Sequence, residues 1–149
     1  MRALFALVLM LLVTACDPCR NLDCVFNDYS GSFRLVRASN NSDLVFGSQK
    51  QYTPNQISFF SVRSGDTTFF EHHATYRAGA GYDSVIEVRF LPNTDTAFIR
   101  LGNSDVDTLK LTYNTYNTRC CGTITEVKNF RFNNAADLGG SRGVRTIAK

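Results

Sequence analysis

Three consecutive β-type runs in the middle of the chain constrain its fold most strongly. They cover residues 83–90, 95–101 and 107–113, and each opens with Asp followed by Ser or Thr. In the last run Leu109 and Leu111 alternate with polar residues, which is the period of a strand with one buried face. The openings recur every twelve residues, and strands at this spacing with turns between them are typical of a sandwich or barrel.

Shorter runs extend this pattern toward both ends of the chain. The further candidate strands are residues 33–37, 44–47, 57–62, 67–76, 121–132 with a bulge, and 143–147. No window after the N-terminal segment has the 3.6-residue apolar period of a helix. We therefore predict an all-β antiparallel sandwich, immunoglobulin-like or similar, with about seven or eight strands. It spans residues 31–134, and the basic, Gly-containing tail 135–149 either adds a short edge strand or stays irregular.

The first sixteen residues have the order of an export signal. A single Arg2 precedes an unbroken apolar run at residues 3–13, and Thr-Ala then precedes Cys16. A membrane-spanning helix needs about 20 apolar residues, so this run is too short to be one. We predict a signal peptide at 1–15 that is cleaved before Cys16, which then carries the lipid. An ordinary secretion signal cut at the same place is the alternative. The polar segment 16–30 is predicted to be a tether between lipid and domain.

Composition narrows the choice of partners. The formal net charge is +3 and the basic residues are scattered singly, so we expect no nucleic-acid partner. The chain holds twelve Phe and six Tyr but no Trp. Phe and Tyr favour half-buried strand surfaces, and core packing is the preferred explanation for them.

Several motifs together resemble one class of protein. They are the Cys16 lipobox, a Cys-containing tether, a strand opening with Asp-Thr-Leu at 107–109, Cys-Cys-Gly at 120–122 and Asn-Asn at 133–134. This combination resembles small envelope lipoproteins of the Bacteroidetes type. The resemblance implies a compact β-sandwich in the bacterial cell envelope, anchored through the acylated Cys16, with the outer membrane as the expected location. Such proteins mostly lack an assigned activity.

Four further cysteines form two close pairs, Cys19 with Cys24 and Cys120 with Cys121. An even number in an exported chain indicates disulfides. A bond between Cys120 and Cys121 is disfavoured, because adjacent Cα atoms lie about 3.8 Å apart, below the usual disulfide range. Both remaining connectivities join the tether to the last long strand. All four cysteines are disulfide candidates, and among these pairings we favour one strong bridge, Cys24 with Cys121, because Cys24 lies closest to the first strand.

The sequence predicts neither a metal site nor catalysis. His72 and His73 are adjacent on a predicted strand and therefore point to opposite faces. The cysteine spacings do not match the Cys-x2-Cys pairs of zinc sites. There is no Gly-x-Ser-x-Gly elbow, and Gly79-Ala80-Gly81 lacks the third glycine of a phosphate-binding loop. We expect no cofactor and no enzymatic activity.

Four Asp-hydroxyl pairs admit two interpretations. Their hydroxyl residues are Thr67, Ser84, Thr96 and Thr108. We favour the interpretation in which Asp closes a turn and the hydroxyl residue begins a strand. The alternative is the Asp-Ser/Thr-apolar O-glycan acceptor motif of exported Bacteroidetes proteins, in which case these hydroxyls carry glycans.

Two adjacent aromatic pairs, Phe59–Phe60 and Phe69–Phe70, lead to the functional hypothesis. Consecutive strand residues face opposite sides, so each pair places one ring on each face of its sheet. Outward rings that cluster into a patch indicate a partner or ligand site. We expect a membrane-anchored, non-catalytic binding or assembly module with an envelope protein partner. A carrier of a small apolar or carbohydrate ligand is the alternative.

Overall fold

The computed structural model describes Cys19 and residues 22–24, 27–76, 84–139 and 143–149. The predicted signal peptide 1–15, the lipidation site Cys16 and the Gly-Ala-Gly segment 79–81 lie outside the described residues. Within the described part of the chain, no helix is long and apolar enough to cross a membrane.

The described residues form nine β-strands in two sheets. The strands are β1 (Ser30–Val36), β2 (Ile57–Arg63), β3 (Asp66–Phe69), β4 (His72–Tyr76), β5 (Ser84–Arg89), β6 (Thr96–Leu101), β7 (Asp105–Thr118), β8 (Gly122–Phe132) and β9 (Val144–Ala148). One sheet has the order β4-β5-β1-β9 and the other β3-β2-β6-β7-β8. Neighbouring strands are antiparallel except β1 and β9, which run parallel. The predicted all-β sandwich is confirmed, with more strands than the sequence indicated.

Aromatic rings fill the space between the two sheets. Phe33 of β1, Phe59 of β2 and Phe130 of β8 are each 0% exposed. The ring centroid of Phe33 lies 5.2 Å from that of Phe130, edge to face, and 6.1 Å from that of Phe59. Large rings in this geometry contribute both buried area and favourable ring contacts. The Phe-rich composition is therefore explained mainly by the core, as predicted.

The predicted strand 67–76 is wrong as a single element, because it is two strands in different sheets. β3 pairs with β2, whereas β4 pairs with β5. Phe70 lies between β3 and β4, is buried, and packs edge-on against Phe90 at 5.3 Å. Because the Phe70 ring is buried, the chain crosses the end of the sandwich at this residue. The residues before Phe70 therefore join one sheet and the residues after it join the other.

The predicted strand 44–47 is also wrong. Oδ1 of Asp43 accepts hydrogen bonds from the backbone N–H groups of Val45 and Phe46, each at 2.8 Å. Backbone N–H groups that donate to a side chain in this way are not available for the hydrogen bonds between neighbouring strands. The segment therefore bends, although Leu44 and Val45 are buried.

The basic tail contributes β9, so the edge-strand alternative is the one observed. β9 lies beside β1 at one edge of its sheet, with Ile147 buried. Lys149 then reaches the other sheet, where its Nζ forms salt bridges with Asp105 at 2.8 Å and with Asp107. Burial lowers the pKa of Lys149, but the hydrogen bonds to both carboxylates outweigh burial and raise it above the usual value.

Candidate functional site

The outer face of the five-stranded sheet carries a row of aromatic side chains. Phe60, Phe69 and Phe98 occupy directly paired positions on β2, β3 and β6. The ring centroid of Phe60 lies 5.8 Å from that of Phe69 and 5.3 Å from that of Phe98. Val62 lies two residues after Phe60 and so projects from the same face. We call these four residues the outer aromatic face.

The fold leaves much of this apolar surface uncovered. Phe69 is 60% exposed and Val62 is 50% exposed, whereas Phe60 is 6% exposed between its neighbouring rings. Phe59 and Phe70, the other members of the two aromatic pairs, are buried. Each pair therefore places one ring inward and one ring outward, as predicted. The outward rings form a cluster, which is the arrangement expected of an interaction surface.

Cationic side chains border the outer aromatic face. Cζ of Arg100 lies 4.8 Å from the ring centroid of Phe60, in a cation–π contact. Lys110 and Arg131 are paired with each other on β7 and β8 and project from the same face. Arg131 is paired with Asp137 at 2.9 Å. The outward positions of β2, β3 and β6 hold no acidic residue, so this face combines apolar area with positive charge.

Three of the four predicted glycan acceptors lie on the same face. Thr67 pairs with Val62, Thr96 with Lys110, and Thr108 with Phe98. Each of these threonines therefore shares the face of its partner. The fourth acceptor, Ser84, begins β5 in the other sheet.

The strand-start interpretation of these pairs holds for only part of the set. Ser84 and Thr96 begin β5 and β6, and Asp66 begins β3. It is wrong for Asp107 and Thr108, because β7 already begins at Asp105. The Asp107 side chain instead turns inward, where it binds Lys149 and accepts a hydrogen bond from Asn133 at 2.8 Å. A sequence pattern of turn and strand residues does not reveal such an ion pair.

Two adjoining open grooves lie at one end of the sandwich, beside Tyr29. One has a volume of about 650 Å³, and Arg89 and Leu91 contribute to its wall. The other has a volume of about 410 Å³ and is lined in part by His73 and Glu87, which pair across β4 and β5. Among the residues that the structure describes, no three His, Cys, Asp or Glu side chains converge as metal ligands.

The two histidines face opposite sides of β4, as predicted. The His72 ring lies 5.6 Å from the ring of Phe59 in the core. His73 is exposed and lines a groove on the outer side. The pair therefore cannot act together on one ligand.

Two disulfides join the tether to the turn between β7 and β8. They are Cys19–Cys120 and Cys24–Cys121, and the Cα atoms of each bridge lie 5.3 Å apart. The predicted link between tether and strand is confirmed, and so is the favoured Cys24–Cys121 bridge. Cys19, also a disulfide candidate, pairs with Cys120, so the structure has two bridges where a single strong one was favoured. The chain between Cys19 and Cys24 is long enough for both cysteines to reach the two adjacent cysteines of the turn.

Backbone hydrogen bonds hold the next part of the tether against the free edge of β8. The Asp28 N–H donates to the Thr125 carbonyl at 2.9 Å, and the Val127 N–H donates to the Asp28 carbonyl at 3.0 Å. Oδ1 of Asn27 accepts from the Thr125 N–H at 2.8 Å. The tether thus occupies ladder positions that an exposed strand edge would otherwise offer to another chain.

Tyr113 makes the fold sensitive to alkaline pH. Its hydroxyl donates to the Thr94 carbonyl, and burial raises the pKa of Tyr113 to about 12. An unfolded tyrosine ionises near pH 10, so the stability from this site is complete below about pH 10 and is lost as pH rises toward about 12. We expect Tyr113→Phe to flatten the decline of the unfolding free energy over this range, measured by urea denaturation. Tyr116→Phe, at an exposed position of the same strand, is the control. An unchanged alkaline slope in Tyr113→Phe would contradict the assignment.

No protein-family model matches this chain, and no curated protein or solved structure matches it.

Proposed function

We propose that this chain is a lipid-anchored, non-catalytic binding module of the bacterial cell envelope, which docks an envelope protein through the outer aromatic face. The observation that carries the proposal is the exposed Phe69 ring, packed against Phe60 in a cluster that the fold leaves open. Aromatic residues are enriched at the centres of protein interfaces, where a few of them supply most of the binding energy. An open sheet face fits a protein surface better than a small ligand, which prefers a concave pocket.

Charge defines the chemistry of the proposed partner. Arg100 lies over the Phe60 ring, and Lys110, which is paired with Thr96, projects from the same face of the sheet. The outward positions of β2, β3 and β6 hold no acidic residue. Complementary potentials favour correct encounters and disfavour wrong ones. The partner that fits this face presents an apolar anchor surrounded by Asp and Glu side chains.

The proposed membrane anchor is an acylated Cys16 in the outer membrane. Its support is the apolar run at 3–13 followed by Val-Thr-Ala-Cys, together with the resemblance of the chain to small Bacteroidetes-type envelope lipoproteins. Cys19, three residues later, is covalently joined to the domain. A lipid at Cys16 would therefore be coupled closely to the sandwich.

Loss of the lipid should release the protein from membranes. We expect Cys16→Ser to move the protein from the membrane fraction to the soluble fraction, because acyl chains supply the anchoring free energy. Fractionation measures this shift, and the intact mass of the wild-type protein should include diacylglyceryl on Cys16. A wild-type mature protein that begins at an unmodified Cys16 would refute the anchor.

Partner contact should depend on the outer aromatic face. With a photo-crosslinking phenylalanine analogue at Phe69, we expect one discrete adduct to an envelope protein, attached near acidic residues. Arg100→Glu should lower the adduct yield several-fold, because it places like charges in contact. The same analogue at Tyr76, which is 57% exposed on β4 of the other sheet, is the matched control. No protein adduct at Phe69, or the same adduct at Tyr76, would contradict the proposal.

The larger end groove supports a second candidate, a carrier or binder of a small apolar or carbohydrate ligand. Its volume of about 650 Å³ lies within the range of ligand pockets, and its wall combines Tyr29 with the cationic Arg89. Native mass spectrometry of protein extracted from the producing cells tests this candidate. A stoichiometric adduct that is lost in Tyr29→Ala would favour it over a protein-docking role.

A further inference from the structure

β7 and β8 extend beyond the rest of their sheet as a two-stranded hairpin. β6 pairs with β7 only as far as Lys110, whereas β7 and β8 stay paired to Thr118 and Gly122. We call residues 114–126 the hairpin arm. Tyr113 still contacts Thr94 and Tyr29 of the sandwich body. At about 3.3 Å per strand residue, Thr118 lies roughly 17 Å beyond Tyr113. The arm therefore projects well past the body of the sandwich.

The tether is fixed to the far end of the hairpin arm. Both disulfides attach at its tip, through Cys120 and Cys121. From there the tether returns toward the sandwich and pairs with β8 at Asp28. The chain thus enters the domain at the tip of the arm and not at its base.

Chain length sets how far the tip can lie from a lipid on Cys16. Only two residues separate Cys16 from Cys19, and three extended steps span at most about 11 Å. Because Cys19 is bonded to Cys120, the tip of the arm must stay near the surface of a bilayer that holds the lipid.

The tip carries side chains suited to the headgroup layer. Leu22 is 56% exposed and Tyr116 is 37% exposed, and Ile124 is paired with Tyr116. Tyrosine favours the membrane interface, where its ring and hydroxyl meet different environments. Of the charged residues described at the tip, Arg119 and Asp23 balance each other. These two charges cancel, which suits contact with a surface of zwitterionic lipid headgroups.

We propose that the tip of the hairpin arm is a membrane-contact surface on which the sandwich stands end-on. The occupant of this surface is the headgroup layer of the bilayer that holds the lipid of Cys16, so the inference rests on the proposed anchor. Phe98 of the outer aromatic face is paired with Thr108, ten residues before Thr118, so this face stands roughly 33 Å above the tip. The contrasting orientation lays the outer aromatic face on the membrane.

Tryptophan fluorescence distinguishes the two orientations. The chain contains no Trp, so Tyr116→Trp and Phe69→Trp each introduce a unique reporter, and both positions lie on the same face of the five-stranded sheet. Each acylated full-length variant is reconstituted into phosphatidylcholine vesicles with and without phosphatidylcholine spin-labelled on its headgroup. We expect quenching at least about threefold stronger in Tyr116→Trp than in Phe69→Trp, because the headgroup layer is only about 5–8 Å thick per leaflet.

Vesicle flotation and intact mass, measured first, keep the two proposals separate. Protein that does not float and carries no lipid on Cys16 contradicts the anchor and hence the proposed function. Floating protein in which the Phe69→Trp reporter is quenched as strongly as the Tyr116→Trp reporter, or in which neither is quenched, overturns the end-on orientation and leaves the anchor standing. Matching circular dichroism of both variants and the wild type ensures that the quenching difference reports orientation and not misfolding.

Discussion

Removing both disulfides should lower the free energy of unfolding by far more than twice the loss that follows from removing one. In the chain-entropy model, replacing all four bridge cysteines with serine lowers the free energy of unfolding by roughly 7 kcal/mol, whereas losing either bridge alone costs roughly 2 kcal/mol. The bridges span 101 and 97 residues and attach side by side. Once either one has closed the long loop, the other closes only a small ring.

Urea denaturation of the two variants that lack one bridge and of the variant that lacks both measures this non-additivity. All are made in a Cys16→Ser background, which removes the proposed lipidation site. A loss of roughly 7 kcal/mol is comparable to the whole free energy of unfolding of many domains. We therefore expect the variant that lacks both bridges to be largely unfolded at about 37 °C. Equal and additive losses for the two bridges would show that they act as independent constraints.

Truncation of Phe130 should be the most damaging single substitution in the core. Its ring is fully buried, lies 5.2 Å from Phe33 and 5.7 Å from Phe90, and supports the guanidinium of Arg145 at 4.6 Å. Phe130→Ala is expected to cost about 4 kcal/mol through lost transfer energy and a residual cavity. The buried Arg145 would also lose the ring that faces it.

Thermal and urea unfolding measure the effect, with Phe69→Ala as the matched control. Phe69 is the same residue type but is 60% exposed, so its truncation should change stability by only about 0.5 kcal/mol. Similar losses at the two positions would contradict the placement of Phe130 in the core and of Phe69 on the exposed face of the sheet.

The strands that sequence predicts well are those with one buried face. Residues 95–101 and 107–113 alternate cleanly and lie almost wholly within β6 and β7. The arm beyond Tyr113 was not predicted to that length, because residues 114–117 are exposed on both faces and so lack an apolar period. The division of 67–76 between two sheets depends on where Phe70 packs, which a local pattern does not encode.

The candidate site was predictable in part. Two adjacent aromatic pairs suffice to predict one outward ring each, and Phe60 and Phe69 are those rings. Phe98 and Arg100 join them only through the pairing of β2 with β6. Register between strands follows from long-range packing, so sequence alone did not identify the cationic border.

The double bridge also determines how the molecule would carry a pulling force between the proposed lipid on Cys16 and the proposed partner. Tension entering at Cys19 passes through covalent bonds into the turn at Cys120 and then along β7. It bypasses the hydrogen bonds of Asp28, so it does not peel the tether from β8. The ladder between β6 and β7 is loaded along the strands, which requires many of its hydrogen bonds to break together. Such an attachment suits a module that holds its partner under mechanical load.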